Sequence, residues 1–172
     1  MNAFPIAKPA GFSLIELMIA IAIMGILAGL SMPSFRTWIQ NSHIRNATES
    51  ITNGLQRARA EAVARNTNVA FVLGADTSWT VSVVNPFSQI DSRPANEGST
   101  TVTRTVTPAN ATTITFNSFG GVVTNADNSA SLTQIDIAAA GGDQNLRITI
   151  GVGGNARMCD PNLAANSSPR AC

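Results

Sequence analysis

The sequence predicts an α+β protein. A long N-terminal helix, membrane-spanning in its first half and amphipathic in its second, packs on a C-terminal antiparallel β-rich globular domain. Three observations carry that prediction. Phe12 to Met32 is apolar or small throughout, with one carboxylate, Glu16. Apolar residues then recur at spacings of three and four from Ile44 to Ala62. From Val69 onward Ser, Thr, Asn, Ala and Gly are abundant, and short alternating runs are separated by turn signals. The chain divides accordingly into a leader (1–11), an apolar helix (12–32), its amphipathic continuation (33–66) and a β-rich domain (67–172).

The apolar run is roughly 20 residues, the length a helix needs to cross a bilayer. A charge inside such a run is costly, so Glu16 is read as functional, with a partner to be named. An ordinary secretory signal is cut after its apolar core, following small residues. Ala28-Gly29-Leu30-Ser31 offers a weak site of that kind, but Glu16 would then burden the core with charge. Cleavage before the run, after Gly11, leaves the apolar helix on the mature chain. Gly25 and Gly29 each weaken the helix by up to about 1 kcal/mol relative to Ala. Pro33 removes a backbone hydrogen bond. Gly25 to Pro33 is therefore where the helix is expected to bend or open.

Beyond Pro33 the helical period resumes. Ile44, Ala47, Ile51, Leu55, Ala58 and Ala62 mark one apolar stripe. Arg45, Glu49, Arg57, Glu61 and Arg65 lie on the other side, with Glu61 and Arg65 in the favourable i,i+4 order. The helix is expected to end near Arg65-Asn66, and its stripe needs a sheet to cover it. Val69–Leu73 and Trp79–Val84 read as a hairpin around 74–78. Asn85–Ser99, with two Pro, Gly98 and mixed charge, reads as a loop. Further strands are expected over 101–107, 112–117, 122–124, 132–138, 146–151 and 155–158, with Ser118-Phe-Gly-Gly121 and Gly141-Gly-Asp143 as turns.

Charge excludes some functions. The 172 residues carry a formal net charge of +1. Lys8 is lost with a leader ending at Gly11, leaving ten Arg against ten acidic residues. Bulk charge thus announces neither a nucleic-acid nor a membrane-surface binder, and such binding would need a local patch. Catalysis finds no support either. His43 is the single His, so no Ser-His-Asp or Cys-His arrangement can use a second one. The Gly-rich stretches at 141–142 and 151–154 lack a following Lys-Ser/Thr and open no helix, which argues against a phosphate loop. The Asp residues show no calcium-loop spacing. No catalytic residue, metal or cofactor is expected.

Two cysteines, Cys159 and Cys172, show no CxxC or Cys/His metal spacing. In an oxidising compartment they are expected to form a disulfide, in a reducing one two free thiols. The export signal favours the disulfide, whose short loop is worth about 3 kcal/mol at most in the chain-entropy picture.

Gly11, Phe12, Glu16 at the fifth position after the junction, and Pro33 together resemble the class III signal of type IV pilins and type II secretion pseudopilins. The resemblance implies that a membrane-embedded prepilin peptidase cuts after Gly11 and methylates the Phe12 amine. It also implies that Glu16 pairs with that amine, between neighbouring subunits, to set axial register. In a low-dielectric bundle such pairing offsets part of each charge's desolvation. The structural alternative is a Glu16 that snorkels at the bilayer edge. Arg57 to Asn66, followed by short strands and Ile114-Thr-Phe-Asn-Ser-Phe-Gly-Gly121, resembles the GspH-like domain. That domain is shared by the type II secretion minor pseudopilin H and minor pilins of the FimU and FimT kind. Arg157-Met-Cys-Asp-Pro161 with the terminal Cys172 looks more like the minor pilins.

The resemblance implies a minor pilin that primes pilus assembly with other minor pilins and the major pilin. It implies a single-pass protein of the bacterial inner membrane, its globular domain in the periplasm, that later enters a pilus or pseudopilus. DNA uptake and the type II secretion pseudopilus are the alternative functions. FimT-like proteins of DNA uptake carry a Gly-Arg-x-Arg element. Here Gly154-Asn-Ala-Arg157 keeps Gly154 and Arg157 but has Asn155 for the first Arg, and Arg170 could add a second charge. Each missing cation removes about one phosphate's worth of salt-dependent affinity. The bland alternative is that Arg157 is a solvated residue at a strand end.

Overall fold

The apolar stripe of the helix decides how the C-terminal domain is built. In a computed structural model describing residues 11–94, 101–166 and 168–172, Ile44, Ala47, Ile51, Leu55, Ala58 and Ala62 are all buried. They belong to α1 (Leu14–Arg65), a 52-residue helix assigned without interruption through Gly25, Gly29 and Pro33. Residues 1–10 of the expected leader lie outside the described residues.

Both ends of α1 have a local cause. At the start, the Glu16 N–H donates to Ser13 Oγ at 3.3 Å and the Leu17 N–H to the Ser13 carbonyl at 3.1 Å. Ser13 is thus the N-cap, and Ser13-Leu-Ile-Glu16 has the capping-box spacing. At the other end Asn66 adopts φ 50°. The Asn66 N–H donates to the Val63 carbonyl at 3.3 Å and the Thr67 N–H to the Ala62 carbonyl at 3.2 Å. That is a Schellman motif, in which a left-handed residue lets the chain turn back and satisfy the last carbonyls.

The chain falls into two compact units, with the boundary between Arg36 and Thr37. In the first, every described residue is exposed, and the helix there is long and apolar enough to cross a membrane. In the second, the stripe of α1 joins the nine strands found among the described residues in one core. The strands are β1 (Val69–Leu73), β2 (Trp79–Val83), β3 (Ser88–Arg93), β4 (Val102–Thr107), β5 (Thr113–Phe116), β6 (Val122–Val123), β7 (Gln134–Ala139), β8 (Leu146–Ile150) and β9 (Ala156–Cys159). They form two antiparallel sheets, ordered β3-β2-β1-β5-β6 and β4-β7-β8-β9. The stripe is therefore served by two sheets where one was expected.

Alternation along the strands supplies the core. Val69, Phe71 and Leu73 of β1 are buried beside Trp79, Val81 and Val83 of β2, in the register Val69↔Val83 to Leu73↔Trp79. Ile135 and Ile137 of β7 face the core together with Ile148 and Ile150 of β8. Trp79 satisfies its indole N–H on Ser50 Oγ at 3.0 Å, so the ring can be buried without an orphaned donor. Gly54 is what lets the helix approach this pair. A Cβ there would lie 2.8 Å from Phe71 Cε2 and 2.9 Å from Trp79 Cδ2.

A second expectation is corrected. Asn85–Ser99 reads as a loop, yet Ser88–Arg93 is a strand, paired with β2 across a register shift at Val81/Ser82. Residues 95–99 of that stretch lie outside the described residues. β3 is a sheet edge with no fully buried position, so it carries none of the apolar alternation that reveals a strand.

Candidate functional site

The N-terminal site is built on the helix cap. Gly11, Phe12 and Ser13 precede the helix, and Phe12 is 85% exposed. The 11–12 peptide bond thus lies in non-helical chain just ahead of an ordered first turn. A Cβ built on Gly11 meets nothing within 4 Å. Among the described residues the fold therefore makes no steric demand for glycine there. Glu16 stands in the first turn of α1, where a carboxylate interacts favourably with the positive end of the helix dipole. The Ser13 cap was legible as a Ser-x-x-Glu pattern ahead of an apolar run, but the sequence reading passed over it. Gly25 also meets nothing within 4 Å, and α1 is continuous there and at Pro33.

The C-terminal site is a clasp. Cys159 and Cys172 are disulfide-bonded, with Cα atoms 5.1 Å apart. The Asp160 N–H donates to the Arg170 carbonyl at 2.7 Å. The guanidinium of Arg157 donates through Nη2 to the carbonyls of Pro169 (3.1 Å) and Ala171 (3.0 Å). Arg157 is therefore tied to the chain on either side of Arg170. Arg170 itself is exposed and makes no ion pair among the described residues. It lines a cavity of about 340 Å³ with Asn41, Arg45, Leu146, Met158 and Leu163. The two candidate arginines are thus close in the chain's path but differently engaged.

His43 is half-buried on α1. Near the helix end, Glu61 accepts from Arg57 at 3.1 Å and from Arg65 at 2.7 Å. The hydrogen bond from Arg65, with the charges of both arginines, holds its carboxyl below the usual range. Burial pushes the Arg104 guanidinium down, partly opposed by Asp76, while its Nε–H donates to the Asp76 carbonyl at 2.9 Å. This contact ties β4 to the β1–β2 turn.

An apolar helix behind a Gly-Phe junction, continuing into an α+β domain closed by a C-terminal disulfide, defines a type IV pilin-like subunit. Comparison with known proteins narrows the class. The family of the type II transport protein GspH matches residues 47–157, well over half of the chain, and the protein belongs to that family. The prokaryotic N-terminal methylation motif matches residues 6–32. A fimbrial protein of Moraxella nonliquefaciens is 37% identical over 68 residues, 40% of this chain and 42% of that protein, so the match spans less than half the relative's length. Among solved structures, the type IV minor pilin FimU of Pseudomonas aeruginosa superposes with a TM-score of 0.56 at 17% identity, covering 78% of this chain and 98% of FimU. The minor pseudopilin EpsH of the Vibrio cholerae type 2 secretion system gives 0.53 at 14% identity, covering 70% and 99%. At these identities both show a shared fold.

Proposed function

We propose that this protein is a minor pilin, an assembly subunit of a type IV pilus. The observation that carries the reading is the Gly11-Phe12 junction ahead of a capped apolar helix with Glu16 in its first turn. In this reading a prepilin peptidase cuts after Gly11 and methylates the new amine of Phe12. The helix holds the protein in the inner membrane as a single pass, with the globular domain in the periplasm. On assembly it passes into a bundle of other minor pilins and the major pilin.

Glu16 then has two successive partners. Before cleavage its carboxylate stands at the positive end of the helix dipole. After cleavage the Phe12 amine supplies a full cation about one helical turn away, and in a low-dielectric bundle that pairing outweighs the dipole alone. Pro33, with Gly25 and Gly29, would be where the helix opens on assembly, since proline has no N–H to hold that turn.

The test for processing is the intact mass of the protein purified from membranes. The expected chain starts at Phe12 and carries one methyl group. A start at Met1, or beyond Ala28, overturns the reading. The machine is tested by deletion, with loss of pili and twitching expected. A second reading, the pseudopilus of type II secretion, is favoured by the family's description and the likeness to EpsH. Lost exoprotein secretion with normal piliation would replace the first reading by the second.

A further inference from the structure

The turn between β5 and β6 does something unusual with a large side chain. Phe119 is 89% exposed, and Val152, in the turn between β8 and β9, is 91% exposed. A turn tip needs neither residue, since Gly, Asn, Asp and Ser serve turns best. The two turns are nevertheless locked together. The Val122 N–H donates to the Val152 carbonyl at 3.0 Å. Gly154 has φ +76°, and a Cβ there would collide with the Gly120 carbonyl, so the backbones touch. Asn117 Oδ1 accepts from the N–H groups of Phe119 and Gly121, each at 3.0 Å. Arg59 Nε donates to the Gly120 carbonyl at 3.1 Å.

These contacts fix a ridge that displays apolar side chains. Beside it runs a groove of about 550 Å³, lined by Ala60, Val63, Ala64, Gly154 and Ala156 together with the polar Gln56, Arg59 and Asn155. Val63 is 51% exposed and lies beside Gly120, next to the Arg59 side chain, so the ridge adjoins the helix. Clustered exposed apolar side chains mark interaction surfaces, whereas scattered ones do not. A surface held in place before binding loses less entropy when it binds.

Charge indicates what covers it. The last turns of α1 carry Arg57, Arg59 and Arg65 against one carboxylate, Glu61, whose two oxygens are taken by Arg57 and Arg65. Arg59 makes no ion pair among the described residues. The groove therefore carries a cation, Arg59, beside its apolar surface. Nucleic acid would also suit an arginine beside an aromatic ring. But most of the surface the groove presents is aliphatic, from Ala60, Val63, Ala64 and Ala156, which matches a protein side chain better than a phosphate backbone. We propose that the Phe119–Val152 ridge and its groove form a docking surface for a protein partner, a different chain, that inserts an apolar side chain flanked by carboxylates. This surface is built within residues 37–172, and the proposal holds for either filament.

The test places a photoreactive benzoylphenylalanine at position 119 of the full-length protein in its native cells. The cross-linked peptide is then identified by mass spectrometry. The expected adduct lies on another protein, at an apolar residue with Asp or Glu beside it. Phe119→Asp and Val152→Asp should each cut co-purification of that protein by about tenfold or more, the scale of losing one interface anchor. Because both side chains are exposed, the thermal midpoint of each variant should match the parent's. Arg59→Glu should lower cross-linking, and reversing the partner's carboxylate to Arg should restore it. Cross-links only to nucleic acid, only to a second copy of this chain, or to a segment without carboxylates would overturn the proposal. So would no cross-link at all, or undiminished co-purification of both Asp variants.

Discussion

Gly54 shows how one missing side chain can set a packing distance. It sits mid-helix, where glycine costs about 1 kcal/mol of propensity relative to alanine. The compensation is close contact with the stacked rings of Phe71 and Trp79, whose centroids are 6.0 Å apart at 29°. Gly54→Ala gains helix propensity but forces its methyl into two rings that are themselves buried. Overpacking of this kind costs about 1–3 kcal/mol, so net destabilisation is expected. Chemical denaturation should show a lower midpoint with an unchanged slope, and an equal or higher midpoint would refute the packing account. The contrast with Gly25, which meets nothing, separates a glycine the fold requires from one it does not. Sequence alone does not make that distinction, because helix propensity is the same for both glycines. Arg157 was equally opaque. Its guanidinium donates to the Pro169 and Ala171 carbonyls, and only the fold brings these within reach.

At the scale of elements, legibility followed periodicity. The stripe from Ile44 to Ala62 was readable because burial on one helical face imposes a period, and all six residues are buried. The β1–β2 and β7–β8 hairpins were readable because each strand alternates around a turn signal. β3 was not, since an edge strand half in solvent places no constraint on its residue types. The division into two sheets was hidden because strand pairing is non-local. The i,i+4 pairing of Glu61 with Arg65 was legible, and it carries a pH prediction. Its folded pKa is lowered, chiefly by the hydrogen bond from Arg65, so it stabilises above the unfolded value of about 4.3. That contribution is lost as pH falls through the folded pKa. Exposed arginine ends limit it to a few tenths of a kcal/mol per pair. Glu61→Gln should therefore be less stable than the parent at pH 7, and the difference should vanish once pH has fallen below the lowered folded pKa. A difference that persists in acid would mean that packing, not charge, holds this residue.

For the whole molecule, stability and location are assigned to different parts of the chain. Among the described residues, every buried hydrophobic one lies at or beyond Ile44, while residues 11–36 are exposed throughout. The apolar helix thus contributes nothing to the core and is free to serve membrane or filament. A fragment of residues 37–172 should then fold by itself, with α1 from Thr37 to Arg65 still covering both sheets. Circular dichroism should show one cooperative thermal transition without detergent. Within this fragment the Cys159–Cys172 bond closes a loop of sequence separation 13. Replacing both cysteines by serine should cost about 3 kcal/mol at most, through a less constrained unfolded state. The clasp's other ties, Arg157 to the Pro169 and Ala171 carbonyls and Asp160 to Arg170, join the same two stretches of chain. The serine variant is therefore expected to keep a cooperative transition at a lower midpoint. A fragment that melts without cooperativity with its disulfide intact would show that the exposed helix is needed for folding. A fragment that melts cooperatively only when oxidised would place the stability in the clasp instead of the helix stripe.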